Sequence, residues 1–346
     1  MHASTSSGRQ AELLKKLLEI RKLKKEEQEL KAEVREELAI KKQDQRLKEL
    51  EQQLAQATLN AKALDQQLCY GAPDWSGAGE LWSGWQAGTE VTYTANASHG
   101  AAPPADIVSC TAGTMKLQIY KKPFAQGGLR QAFYARDAAG QRFVVKRALQ
   151  ESSKHKRNLK EAHAHAHAAA ISLLAAEQFQ RSIKGAGQPG LSLKSFGYVS
   201  VSVVVLEDKE APSGKAVLLK EPMLEPKAGC KWVKWTVNDG QVLDDGKADD
   251  VVQAFSHYSL RFGREQLGYD MLVLDVQGLV KTDPGGGKSY TLTDPALCSS
   301  DKKHGPTDLG KPALDTFFGC HTCGPGCNAL GCQRLRPAGE VGSTSQ

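Results

Sequence analysis

No stretch of this 346-residue chain approaches the ~18 apolar residues of a membrane-spanning helix. No apolar run follows MHASTSSGRQ at the start, so a secretory signal is not expected and the chain is expected in a cytoplasmic, reducing compartment. Aromatic residues make up 6% of the sequence. None is interleaved with a basic block, so the net charge of +6 does not build a stacking platform for nucleic acid. Cysteines number eight, and half of them crowd between Cys320 and Cys332, which is metal spacing and not a disulfide framework. The H-R-D and D-F-G signatures of ordinary protein kinases are missing. Gly285-Gly286-Gly287-Lys288-Ser289 is not a phosphate-binding P-loop, because Thr282 stands where that pattern requires glycine.

Residues 10–68 have neither glycine nor proline and are dense in Glu, Lys, Gln and Leu. Leu47, Leu50, Leu54, Ala57, Ala61, Leu64 and Leu68 alternate steps of three and four, the seam of a coiled coil. An earlier seam (Ile20, Leu23, Leu30, Val34) is out of phase, so the register slips around 38–45. Self-association through this helix is expected. Residues 1–9 and 335–346 read as disordered tails, and 69–113, rich in Gly, Ala, Ser and Pro, as a linker. Trp75, Trp82 and Trp85 are odd in a spacer and suit docking on a neighbouring surface. From 114 to 334 the pattern is α+β. Strands are expected at 116–120, 131–135, 143–146, 195–206, 216–220, 232–237 and 270–275, with helices at 158–183 and 249–262.

Three places carry chemistry. His321-x-Cys323-x3-Cys327 puts one imidazole and two thiolates within seven residues. Zinc takes four nitrogen or sulfur ligands, and His257 in FSHYS is the best-placed fourth. Lys146 ends the apolar strand FVVK after a hairpin, where it can reach a cleft. Asp275 ends the apolar strand LVL, where a carboxylate is costly unless it faces a polar site. Gln277, two residues on, shares its face. His163, His165 and His167 alternate with alanine on the long helix and read as an exposed polar face, since no H-E-x-x-H pattern joins them.

In this order, KKPFAQGGLRQAFYARD with RFVVKRAL, LLKEPMLEPKAGCKWVKWTVNDG, LVLDVQG, the T-D-P segments, HGPTDLG and GCHTCGPGC resemble the alpha-kinase family of atypical protein kinases over roughly 114–330. The resemblance implies a two-lobed α+β kinase domain with a structural zinc site, preceded here by the coiled-coil helix. It implies transfer of the γ-phosphoryl group of Mg-ATP to Ser or Thr of a protein substrate. Lys146 falls on the family's phosphate lysine and Asp275 on its catalytic acid. Gln277 and Asp294 fall on its magnesium ligands. Asp294 is preferred to Asp283, the acid of the other T-D-P, because an apolar stretch and then the glycine loop follow it. Gly127, Gly128 and Arg130 are expected at the phosphates, and Glu221 and Met223 at adenine, largely through backbone groups, with Glu225 nearby. Gly305, Asp308 and Gly310 form a substrate loop in which Thr307 replaces a small residue, so its shape is expected to differ.

Two rival readings compete with this one. A zinc-dependent binding module would leave Lys146 and Asp275 without a purpose. An inactive or weakly active scaffold, assembling through the coiled coil, is opposed by the intact Lys146, Asp275, Gln277 and Asp294.

Overall fold

A computed structural model describes residues 73–337, apart from 77–78, 98–106, 151–154, 188–191 and 334. Residues 10–68, expected to form a coiled coil, the first tail and residues 338–346 lie outside the described residues.

The first half is a curled sheet. Strands β1 (Gln86–Ala95), β2 (Val108–Ile119), β3 (Ala125–Gln126), β4 (Arg130–Asp137), β5 (Arg142–Ala148), β7 (Ser202–Glu207) and β8 (Lys215–Pro222) pair in the order β2-β1-β7-β8-β5-β4-β3. A further β2–β4 pairing closes six of them into a barrel. Alternate side chains fill its inside: Leu117, Ala135, Phe143, Val145, Leu206 and Leu218 are buried there. Their neighbours Val203, Val217 and Leu219 point outward onto a helix, as the two-residue period of a strand requires.

The expected linker is corrected here. Residues 86–95 and 108–113 are barrel strands, and buried Trp82 bridges to Tyr120. Their sequence, QAGTEVTYTA above all, is threonine- and glycine-rich because it is only half buried, so composition imitates a spacer. Trp75 and Trp82 dock on the barrel, whereas Trp85 is exposed. Trp75 meets Tyr134 edge-on, and Arg142 lies over its ring at 4.7 Å.

Helix α1 (His155–Gly185) joins the halves. Ala162, Ala166 and Ala169 lie against the barrel, while Ile171 and Phe179 enter the main core of the second half. Alanine serves the first task because it lets a helix approach a sheet closely.

The second half holds a mixed sheet, β6 (Leu193–Tyr198), β12 (Lys288–Thr293), β11 (Gln277–Thr282) and β9 (Cys230–Lys234), and a pair, β10 (Met271–Leu274) with β13 (Ala296–Ser299). The strand expected over 195–206 is therefore two strands in different sheets, broken at 199–201. Four helices complete it: α2 (Asp244–Lys247), α3 (Asp250–Gln266), α4 (Lys311–Cys320) and α5 (Pro325–Ala329). Asp249 caps α3 by accepting from the Val252 N–H, and also takes bonds from Tyr290 and Lys288 of β12. The triple-glycine segment is the turn of the β11–β12 hairpin, where Asp283 accepts from the Gly287 N–H and pairs with Lys194. No helix among the described residues is long and apolar enough to cross a membrane.

Candidate active site

Two strand-to-strand crossings build the site. β10 leads through Asp275-Val276 to β11, and β12 leads through Asp294-Pro295 to β13. Because β10 pairs with β13 and β11 with β12, Leu274 lies opposite Ala296 and Gln277 opposite Thr293. The two links therefore face each other. Each turns with its acid in the left-handed region, φ 54° at Asp275 and 52° at Asp294. Lys302 is the remaining non-glycine residue of that kind among the described residues. Such backbone costs about 1–3 kcal/mol per residue and clusters at functional sites.

Lys146 comes from β5 of the barrel, its side chain on the outer face because Val145 points inward. Its Nζ lies 2.9 Å from Glu221 and 3.1 Å from Asp294. Burial works to lower the lysine pKa, but the Asp294 and Glu221 carboxylates outweigh it and push it above its ordinary value. Asp294 shows the reciprocal effect. Burial would raise it, yet Lys146, His165 and Arg130 hold it well below the usual carboxylate range. Arg130, at the start of β4, is lowered by burial, with Asp294, Glu161 and Glu221 acting in the opposite sense. Gly127 donates to the Arg130 carbonyl at 2.8 Å, and a side chain on Gly128 would meet nothing within 4 Å. The hairpin tip is open to a ligand.

Asp275 has its own cation. The Nζ of Lys234, at the end of β9, is 2.5 Å from Oδ1, and Gln277 donates weakly to Oδ2 at 3.4 Å. Buried Thr236 fixes the link by accepting from the Val276 N–H at 2.9 Å. Asp283 sits at the far turn of the hairpin, six residues past Gln277 or about 20 Å along the strand, while Asp294 stands at the Gln277 end beside Lys146.

Three expectations change. Glu221 offers its carboxylate, bonded to Lys146 and to the Thr293 hydroxyl at 2.6 Å, a role beyond the backbone one read from sequence. The Met223 N–H already donates to the Arg142 carbonyl at 3.1 Å, so it is not a free donor for adenine. Glu225 pairs with Arg142 at 2.9 Å. Asp308 is buried and bonded by both oxygens to Ser299, His304 and Gly310. It holds the loop together from inside. Gly305 and Gly310 take the left-handed positions (φ 88° and 78°) and Thr307 takes none.

Sequence reasoning missed Lys234 and His165. Lys234 has no signal beyond alternation on a short strand. The His-Ala alternation predicts an exposed His165, but it is buried at 4% exposure with Nε2 3.5 Å from Asp294. Its neighbours His163 and His167 pack edge-on against Tyr93.

His257, His321, Cys323 and Cys327 converge, their ligand atoms all within 4.8 Å of one another. His257 lies on α3, and the others follow α4 or start α5. His257 Nε2 faces the Leu335 carbonyl at 3.1 Å, and His321 Nδ1 faces Gln253 Oε1 at 2.7 Å. Both acceptors fix the ring hydrogen on the outer nitrogen, so the inner nitrogens turn their lone pairs toward each other at 3.0 Å. Cys323 Sγ is 3.4 Å from His321 Nε2, and Cys327 Sγ 3.5 Å. Facing lone pairs and two sulfurs are a donor set for a soft cation. Cys332 is buried nearby outside the set, and Cys320 is exposed.

Residues 125–327 match the family model described as "Alpha-kinase family". The chain is 27% identical over 244 residues to the alpha-protein kinase vwkA of Dictyostelium discoideum, covering 66% of this chain and 35% of that protein. A 104-residue stretch is 29% identical to the mouse transient receptor potential cation channel subfamily M member 6, covering 28% and 4%. The chain thus spans about a third of the length of the first relative and far less of the second. Among solved structures, the fold is similar to an alpha kinase from Entamoeba histolytica (TM-score 0.54, 19% identity, 76% of this chain and 96% of that one). It is similar also to the alpha-kinase domain of myosin-II heavy chain kinase A in complex with AMP-PNP (TM-score 0.53, 21%, 72% and 97%).

Proposed function

Because this chain belongs to the alpha-kinase family, we propose that it is a protein kinase transferring the γ-phosphoryl group of Mg-ATP to a Ser or Thr hydroxyl of a protein. The observation that carries the reading is the pair of facing left-handed acids, one beside Lys146 and one beside Lys234. Phosphoryl transfer needs positioning and charge neutralisation more than covalent chemistry, and cations and carboxylates converge here in that proportion. The AMP-PNP complex of myosin-II heavy chain kinase A supports a nucleotide as the ligand of this fold.

Lys146 and Arg130 bind phosphate oxygens, with Gly127 and Gly128 leaving the backbone room to approach. Asp294 and Gln277 offer the oxygens that suit magnesium. When bound, the ion neutralises charge developing between the phosphates. Asp275, its Oδ1 held by Lys234, orients the acceptor hydroxyl and takes its proton on Oδ2. Glu221 fixes Lys146, and the backbone of its strand end lines the adenine side of the cleft. The loop of Gly305 and Gly310, shaped by Asp308, borders the peptide.

The His257–His321–Cys323–Cys327 set holds a structural zinc, since two nitrogens and two sulfurs leave no open position for water. Its thiolates require a reducing compartment, and the cytoplasm supplies one. Residues 10–68 assemble copies of the chain. The test is autophosphorylation with labelled ATP, wild type against Asp275→Ala. Incorporation by both forms, or by neither at full Mg-ATP, sinks the reading.

A further inference from the structure

His165 sits on α1 in a run of alternating histidine and alanine, and the helix turns it alone onto the acids. It is 4% exposed, and its Nε2 is 3.5 Å from Oδ1 of Asp294. That same Oδ1 takes Lys146 at 3.1 Å. Both contacts thus fall on one oxygen. Oδ2 takes no part in these two contacts, and it is the oxygen they leave for a cation. The other imidazole nitrogen, Nδ1, is buried with no hydrogen-bond partner. A helix packed by alanines against a barrel needs no imidazole there, and an unsatisfied buried nitrogen costs stability, so a packing role does not explain the residue. In either charge state the ring can carry a hydrogen on Nε2. Placed on Nε2, that hydrogen points at a carboxylate. A separation of 3.5 Å is long for the bond, as such contacts are before the ligands that tighten them arrive.

We propose that His165 is a positioning residue of the phosphoryl-transfer site: its Nε2–H, with Lys146, holds Oδ1 of Asp294 so that Oδ2 is presented to the magnesium ion. This rests on the reading of Asp294 as a magnesium ligand. The residue acts through Asp294 and touches neither nucleotide nor acceptor.

The experiment compares wild type with His165→Gln, His165→Asn and His165→Leu in the full chain. Two quantities are read: the Mg2+ concentration giving half-maximal binding of a fluorescent ATP analogue, and kcat with KM for ATP. A glutamine amide nitrogen reaches the place of Nε2, whereas an asparagine amide stops at Nδ1. His165→Gln should therefore stay within about threefold of wild type, while His165→Asn and His165→Leu raise the half-saturating Mg2+ about tenfold, the effect of losing a hydrogen bond to a charged acceptor. Nucleotide binding in EDTA and the thermal midpoint should not follow that pattern. The inference is overturned if Asn and Leu titrate like wild type, or if Gln is as impaired as Leu. Should His165→Leu fail to fold, the Gln and Asn forms, both polar, still decide it. A wild-type protein that binds the analogue without any dependence on Mg2+ fails the kinase reading itself, a different result from a wild-type response that the variants share.

Discussion

Asp275 and Asp294 occupy facing two-residue links, each the point where the chain leaves one sheet of the second half for the other, and both adopt left-handed backbone. A strand crossing that must turn sharply would ordinarily use glycine. Aspartate at both places means that the carboxylates are kept in spite of the strain. Asp275→Ala should leave the protein folded and reduce phosphoryl transfer by about three orders of magnitude or more. Lys234→Ala should reduce it less, since it removes only the cation that holds Oδ1. Single-turnover rates with labelled ATP, alongside circular dichroism, check both. Near-normal turnover of the Asp275 variant would refute the role given to it.

Lys146 is held by two carboxylates in a mostly buried position. Removing one partner of such a cluster leaves like charges facing each other. Lys146→Met should abolish transfer and also lower the free energy of unfolding by about 3 kcal/mol. A denaturant titration reads the second effect. A variant as stable as wild type would mean that Glu221 and Asp294 relax into solvent.

The glycine of the VQG motif has a steric reason. Gly278 has φ +151°, and a Cβ there would run into the Thr291 carbonyl and approach Leu292 Cα to 2.8 Å. Gly278→Ala should therefore destabilise the β11–β12 hairpin by about 1–3 kcal/mol. Activity should fall with it, because the hairpin sets Gln277 opposite the residue before Asp294. Chemical denaturation of the variant gives the comparison.

Elemental analysis should find one zinc per chain, lost in Cys323→Ala and Cys327→Ala, both of which should be insoluble or metal-free. Acid should act in the same direction. Burial lowers His257 to about 4 and His321 to about 3, whereas a histidine of the unfolded chain titrates near 6.5. Between those values the unfolded chain binds more protons, so stability rises with pH. The contribution is complete above about 6.5 and is lost as pH falls toward about 4 for His257 and about 3 for His321. Protons also compete with metal for the same nitrogens. A zinc indicator should report release between pH 6.5 and 4 and none between 7 and 9. Retention of metal at pH 4 would contradict the ligand set.

Deleting residues 1–70 should reduce the mass measured by light scattering to that of a monomer and preserve basal transfer. A monomeric full-length chain would show that the charged helix is solvated along its length. A truncated form with weak activity would instead assign residues 1–70 a supporting role for the kinase domain.

Legibility followed the range of the interactions. The FVVK and LVL strands, the long alanine helix and the histidine–cysteine cluster could be read because each is a pattern within a few residues: apolar alternation, helical spacing, or two thiols and an imidazole in seven positions. His257 could be chosen because few histidines compete for the place. The sequence by itself therefore determined the local elements and the kinds of group available for chemistry. It could not place residues 86–95 and 108–113 in the barrel, because a half-buried strand of threonine and glycine has the composition of a spacer until its partners β2 and β7 are known. Nor could it divide 195–206 between two sheets, since unbroken apolarity suits one buried strand as well as two. The pairing of Glu221 with Lys146, the approach of Lys234 to Asp275 and the burial of His165 beside Asp294 join residues 75, 41 and 129 positions apart. No periodicity along the chain encodes such distances. Only the closure of the barrel against α1, and the facing crossings of the second half, decided which of many acids, lysines and histidines meet.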